Sequence, residues 1–150
     1  MSGYPDTSFI CALYRTREGS EQAEAYVRGL PAPLRITSFL VYEFAQAVRF
    51  EIYRHRQDHT KGYSELAGMN MLARFEADIA RGAIEIIAFD PADVLRHATR
   101  LSENHTIRDG NRAFDILHVA TALSLRATEF LTFDGAQRKL AEAEGLAVPF

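Results

Sequence analysis

Four carboxylates stand out in this sequence: Asp6, Glu43, Asp115 and Asp134. Asp115 lies in Ala113-Phe-Asp-Ile-Leu-His-Val-Ala-Thr-Ala-Leu123, where almost every neighbour is apolar. An unpaired charge is expensive to bury, so an acid inside an apolar pattern calls for a counter-charge or a cap. Glu43 follows Leu40 by three residues and precedes Ala47 by four, which puts it on the apolar stripe of a predicted helix. Asp6 and Asp134 each follow a predicted strand and precede a predicted helix, and open α/β sheets bind ligands at such strand ends. Four clustered carboxylates would raise one another's pKa values unless a cation neutralised them. An all-oxygen set suits Mg2+ or Mn2+. A pair of such ions activates water and stabilises the oxygen leaving a phosphodiester, with no Ser, Cys or His nucleophile.

Each acid also has a structural reading. Asp6 and Asp134 are placed to cap helices. Asp115 would sit in a first helical turn and be favoured by the helix dipole, although Asn111 or Asp109 already offers a cap there. Glu43 could instead be a surface residue pairing with Arg49 or Gln46. Asp90, followed by Pro91 and Asp93, reads as a helix start, and Asp109 before Gly110 as a turn.

The elements that must position these acids alternate between short β-like runs and longer helical patterns, which predicts an α/β fold with a parallel sheet. After Gly3-Tyr4-Pro5, Thr7 or Ser8 is expected to cap a helix beginning near Phe9. A second helix is expected over 21–30, ended by the Pro31-Ala-Pro33 break. Leu34 to Thr37 reads as a strand, and Ser38 as the cap of a long helix carrying Phe44, Val48 and Ile52. Further helices are expected over 63–81, from Asp90, over 112–125 and after Asp134. Strands are expected over 83–89 and 128–133, with an edge strand over 146–150. The helix over 112–125 is apolar all round, so it should be buried.

At 150 residues with no linker-like stretch, the chain reads as one domain, 1–150. No apolar run approaches the ~18 residues needed to cross a bilayer, and the first residues lack a signal peptide's basic flank. The single Cys11 fits a cytoplasmic setting. Net charge is −3; setting the four acids aside leaves 16 of the 20 acidic residues against 17 Lys and Arg, a near-neutral body around an acidic pocket.

Taken in order, Tyr4-Pro-Asp-Thr-Ser-Phe9, Ile36-Thr-Ser-Phe-Leu-Val-Tyr-Glu-Phe44, Phe114-Asp-Ile-Leu-His-Val-Ala-Thr-Ala-Leu123 and Phe130-Leu-Thr-Phe-Asp134 resemble a PIN domain, particularly the VapC-type toxins of bacterial toxin–antitoxin pairs. The resemblance implies a three-layer α/β/α sandwich around a central parallel sheet. It also implies Mg2+-dependent endoribonuclease activity on RNA, homodimerisation and a cognate antitoxin. Asp6, Glu43, Asp115 and Asp134 then take the places of the acidic quartet, as catalytic residues and metal ligands. Thr7 and Thr132 stand where such proteins often carry a hydroxyl beside the metal. Arg112, a turn before Asp115, could meet substrate phosphate or pair with a carboxylate.

Pro5 has no N–H to give a central strand, so an irregular first strand is expected. The run Arg54 to Gly62 concentrates Arg54, His55, Arg56, His59 and Lys61, either as a phosphate track or as a solvated helix end. His118 reads as a packed residue of its apolar helix. A catalytically silent PIN-like module that binds RNA or protein is the alternative. A phosphotransfer receiver fits poorly, because Asp6 has no acidic neighbour.

Overall fold

A computed structural model describes residues 3–150. Met1 and Ser2, part of the N-terminal stretch read above as lacking a leader and of the expected 1–150 domain, lie outside the described residues. In chain order the elements are β1 (Gly3–Pro5), α1 (Thr7–Tyr14), α2 (Ser20–Gly29), β2 (Leu34–Thr37), α3 (Ser38–Gln57), α4 (Glu65–Ala80) and β3 (Ile84–Ile87). There follow α5 (Pro91–Leu101), a π-helical turn Ser102–Thr106, α6 (Ile107–Asp109), α7 (Ala113–Ser124), β4 (Glu129–Leu131) and α8 (Gly135–Ala143). None of these helices is long and apolar enough to cross a membrane.

The chain divides into two compact units, Ile10–Ile87 and the remainder from both ends, 3–9 with Ala88–Phe150. Each contains one parallel strand pair, the strand direction expected from the alternation of elements. In Ile10–Ile87, β2 pairs with β3 in the register Leu34↔Ile84 to Thr37↔Ile87. Alternation sends Leu34 and Ile36 inward and Arg35 outward, where its Nε meets Glu85 Oε2 at 2.8 Å across the register. Parallel partners need a crossover, and α3 with α4 supplies it. Thr37, not Ser38, caps α3, accepting from Leu40 N–H at 3.4 Å. The cap falls one residue early because Thr37 retains extended backbone while its hydroxyl reaches the first turn. An aromatic core of Tyr14, Phe44 and Phe75 closes this unit, with Phe44 and Phe75 ring centres 4.7 Å apart.

In the other unit, β1 pairs with β4, from Gly3↔Glu129 to Pro5↔Leu131. The edge strand expected over 146–150 reduces to one parallel bridge, Glu129↔Ala147, in which Phe130 N–H donates to Ala147 O at 2.8 Å. Helix α7 is buried nearly all round, as its composition requires: Ile116, His118, Val119, Ala120, Thr121 and Ala122 are all inside. It packs on α5 with Tyr4, Leu101, Phe130 and Leu140 in one apolar cluster. Fully burying a residue such as Val119 contributes about 1.5–3 kcal/mol. Asp90 caps α5 through Ala92 N–H and Asp93 N–H, the structural role expected of it.

Candidate acidic site

Asp6 is the residue on which β1 turns into α1. Its N–H donates to Leu131 O at 3.0 Å, so the ladder continues past the proline. Strand residues face alternate ways, and the Pro5 nitrogen therefore points away from β4. The irregular first strand expected from Pro5 does not occur. The Asp6 side chain is fully buried. Oδ1 accepts from Ser8 Oγ at 2.7 Å and from Phe9 N–H at 2.9 Å, and Oδ2 accepts from Thr132 Oγ1 at 2.5 Å. Burial pushes its pKa up, and these hydrogen bonds oppose the rise without cancelling it. Asp6 thus caps α1, which begins at Thr7 instead of near Phe9. The cap expected from Thr7 or Ser8 is displaced because Ser8 spends its hydroxyl on Asp6 and on Phe133 N–H, the latter at 2.8 Å.

Asp134 plays the matching part after β4. Its Oδ1 accepts from Ala136 N–H at 2.8 Å and Gln137 N–H at 3.0 Å, capping α8. Its own N–H donates to Thr132 Oγ1 at 2.9 Å. Thr132, expected beside the metal pocket, therefore ties the two strand-end acids together. Asp115 is the third residue of α7, and its Oδ2 turns back to accept from Arg112 N–H at 3.2 Å. Neither Asn111 nor Asp109 provides the cap expected of it: Arg112 occupies the cap position, and the carboxylate that breaks the apolar pattern satisfies the exposed N–H itself. Partial burial pushes the Asp115 pKa up, and the Asp134 carboxylate adds to the rise. These two acids therefore lie within each other's field.

His118 is fully buried, with Nδ1 3.5 Å from Tyr4 Oη and Nε2 3.5 Å from Thr7 Oγ1. Any positive charge on it would favour the ionised forms of Asp6 and Asp115. Glu43 sits part-buried on α3, in Ile10–Ile87. Among the described residues, no three His, Cys, Asp or Glu side chains are gathered at metal-binding range. The donor chemistry nonetheless fits a hard divalent cation. Asp115 Oδ1 and Asp134 Oδ2 have no hydrogen-bond partner among the described residues, and burial and mutual charge both penalise ionised Asp115. Ser8 was missing from the sequence-derived set, since its hydroxyl signals only a local cap.

The basic run resolves into local pairs. Arg54 meets Glu51 at 2.7 Å, Arg56 meets Glu65 at 2.6 Å and Lys61 meets Asp58 at 3.2 Å, all at least partly exposed. Each of these cations thus has a local acidic partner at the surface.

Comparison with known proteins follows the same outline. The chain matches the PIN domain family over residues 3–143. Among solved structures it is similar to VapC20 of Mycobacterium tuberculosis, a sarcin–ricin loop cleaving toxin, at 18% identity and TM-score 0.64, covering 97% of each chain. It is similar to VapBC-1 of nontypeable Haemophilus influenzae at 16% identity and TM-score 0.63, covering 99% of this chain and 96% of the other. FitAcB of Neisseria gonorrhoeae shares 19% identity at TM-score 0.65, covering 97% and 95%. No match is found among curated protein sequences. With a family match across nearly the whole chain and fold-level likeness to these structures, this protein belongs to the PIN-domain family.

Proposed function

We propose that this chain is a metal-dependent endoribonuclease of the VapC kind, the toxin of a toxin–antitoxin pair. The observation that carries the reading is the Thr132 hydroxyl, which joins the Asp6 carboxylate to the Asp134 backbone at two strand ends, with the Asp134 charge adding to the raised pKa of Asp115. Membership of the PIN family supports it, as does likeness to a sarcin–ricin loop cleaving toxin. Asp6, Asp115 and Asp134 would hold Mg2+, or Mn2+ in its place, and Glu43 joins them on sequence grounds as a ligand or as the base that orients water. Bound there, the ion would supply a polarised water and charge stabilisation at the phosphodiester. Thr132 holds Asp6 and the Asp134 backbone in place, Thr7 lies beside His118, and the exposed Arg112 is available to substrate phosphate.

The same reading takes residues 1–150 as one PIN domain, working in the cytoplasm as a homodimer and restrained by an antitoxin. The solved toxin–antitoxin complex from Klebsiella pneumoniae, similar at 17% identity and TM-score 0.63, supports the antitoxin partner. The alternative is a silent PIN-like module that binds RNA or protein. One observation favours it: Asp6, Asp115 and Asp134 each already cap a helix, so each has a structural reason to be present.

The deciding experiment incubates purified protein with mixed RNA, with and without Mg2+, beside Asp115→Asn. Cleavage that requires Mg2+ and is lost in the variant supports the nuclease. Equal cleavage by the variant sinks the mechanism. If millimolar Mg2+ or Mn2+ neither stabilises the fold nor supports cleavage, the silent module is the correct reading.

A further inference from the structure

Two histidines away from the acids stand where α3 gives way to the loop that follows it. His55 lies in the last turn of α3, and His59 in the turn just beyond Gln57. His55 Nε2 and His59 Nδ1 face each other at 3.4 Å. An N–H donor prefers its acceptor at about 2.9–3.0 Å, so this is a poor hydrogen bond. The ring centres are 4.9 Å apart and the ring planes cross at 76°. A straight N–H···N bond across such a gap would hold the centres farther apart, because each ring extends directly behind its nitrogen. The rings are therefore bent off the line between the two nitrogens, as two ligands of one ion are. The separation also fits an ion. Two nitrogens each about 2.0–2.1 Å from a tetrahedral zinc ion lie about 3.3–3.4 Å apart. Neighbouring ligands of square-planar copper or nickel would be closer, at about 2.8–2.9 Å.

His55 is held in the tautomer that zinc needs. Its Nδ1 lies 3.0 Å from Lys61 O, which can only accept. In the neutral ring the proton therefore sits on Nδ1, and Nε2 keeps its lone pair towards His59. Metal-binding histidines almost always donate their other ring N–H in this way, to a carbonyl or a carboxylate. His59 has only to carry its own proton on Nε2 for the two lone pairs to meet. The loop that places it is built on its own bonds: Asp58 N–H donates to Arg54 O, Lys61 N–H to Asp58 O and Thr60 N–H to Asp58 Oδ1. Arg54, Arg56 and Lys61 surround the pair, but each has a carboxylate partner, so an arriving dication meets no unbalanced positive charge. Solvent reaches both rings, since His59 is exposed and His55 only part-buried.

We propose that His55 and His59 bind one Zn2+ ion, with water completing its shell, and that the ion clasps the loop to the end of α3. Imidazole suits zinc, whereas carboxylates suit the hard Mg2+, so the histidine pair and the acids sort their metals by donor type. Two protein ligands, where a structural zinc has four, make a weak and exchangeable site. The proposal stands apart from the nuclease reading and needs no catalysis.

The test titrates the full chain with Zn2+ against a chromogenic chelator. It uses an Asp115→Asn background and millimolar Mg2+, so that the acids do not compete. One ion should bind per chain. His55→Ala and His59→Ala should each weaken it by at least tenfold, since even an outer partner of a ligand is worth that much. His97→Ala, which removes a part-exposed histidine of α5, should leave the affinity unchanged. A second measurement reads the clasp itself. Trypsin cuts after Lys61 only when the loop opens, so Zn2+ at ten times its dissociation constant should slow that cut about tenfold. In His59→Ala the ion should make no difference to it. Affinity that survives both histidine substitutions overturns the proposal, as does zinc binding that leaves the cut after Lys61 unaffected. One ion for every two chains, with a zinc-dependent dimer in sedimentation, overturns the clasp in favour of a bridge between copies.

Discussion

Thr132 donates its hydroxyl to Asp6 Oδ2 across 2.5 Å, linking residues 126 positions apart at the ends of two paired strands. The same oxygen accepts from Asp134 N–H at 2.9 Å, so one side chain sets the spacing of two candidate ligands. Asp6 is fully buried, and each of its hydrogen bonds offsets part of the cost of keeping a carboxylate there.

Thr132→Val keeps the shape and removes both bonds. It should lower stability by about 2 kcal/mol, because a buried carboxylate then lacks one of its donors. Thr132→Ser, which restores the hydroxyl, should stay within about 1 kcal/mol of wild type. Urea unfolding of the two variants side by side checks this. If valine is tolerated as well as serine, Thr132 does not position Asp6.

Asp115 yields a prediction about pH. Its folded pKa lies above the ordinary 3.8, from burial first and from Asp134 in addition. Between the ordinary and the raised value the folded state holds a proton that the unfolded state has lost. Stability therefore falls as pH rises through that window, and the cost is fully present above it. Asp115→Asn retains an oxygen to accept from Arg112 N–H but carries no charge. In EDTA at neutral pH it should melt as high as wild type or higher, and its advantage should shrink as the solution is acidified towards pH 4. Addition of Mg2+ should raise the wild-type melting temperature and leave the variant's nearly unchanged. A variant that melts well below wild type in EDTA at every pH would show that the carboxylate serves α7 alone.

The order of elements and the local settings of Asp115 and Asp134 were readable because they depend on near neighbours. Asp115 drew notice as a charge in an apolar run, and the structure explains its tolerance there: it faces its own helix start. Asp90 and Asp134 announced themselves as caps in the same local way. Ser8 could not be read, since its meaning comes from Thr132 and Phe133, more than 120 residues away. Thr37 and Asp6 took caps expected of Ser38 and of Thr7 or Ser8 for a related reason. A run of adjacent hydroxyl and carboxylate groups offers several caps, and tertiary contacts choose among them.

Glu144 supports a second pH prediction, away from the acids. Burial alone would raise its pKa, but Arg100 at 2.6 Å and His105 at 2.8 Å outweigh that and hold it below the ordinary 4.5. The carboxylate therefore contributes stability that is present above the ordinary pKa and lost as pH falls through the folded one. Glu144→Gln should cost about 1–2 kcal/mol at pH 7, where charge-assisted bonds become neutral ones. Thermal melts from pH 7 down to pH 3 should show the two proteins converging in acid. A gap that persists at pH 3 would mean the loss is one of packing rather than charge.

Gly62 tests the basic run by backbone geometry. Its φ is +60°, and a Cβ placed there would lie 2.0 Å from Glu51 O, a main-chain atom of α3 that cannot turn aside. The loop before it is built on short-range bonds: Asp58 N–H to Arg54 O at 2.9 Å, Thr60 N–H to Asp58 Oδ1 at 3.0 Å and Lys61 N–H to Asp58 O at 2.9 Å. Gly62→Ala must therefore shift the loop away from α3 and should cost roughly 2–3 kcal/mol. Gly82 is the control: its φ is +77°, but a Cβ there would meet nothing within 4 Å. Gly82→Ala should therefore cost only the left-handed backbone penalty of about 1 kcal/mol. Urea midpoints measure both. Because Arg54, Arg56 and Lys61 are already paired with acids, the loosened loop in Gly62→Ala should bind RNA no more weakly than the intact one at roughly 0.15 M salt, provided the fold is retained. A large drop in affinity with the fold intact would return this segment to the phosphate track.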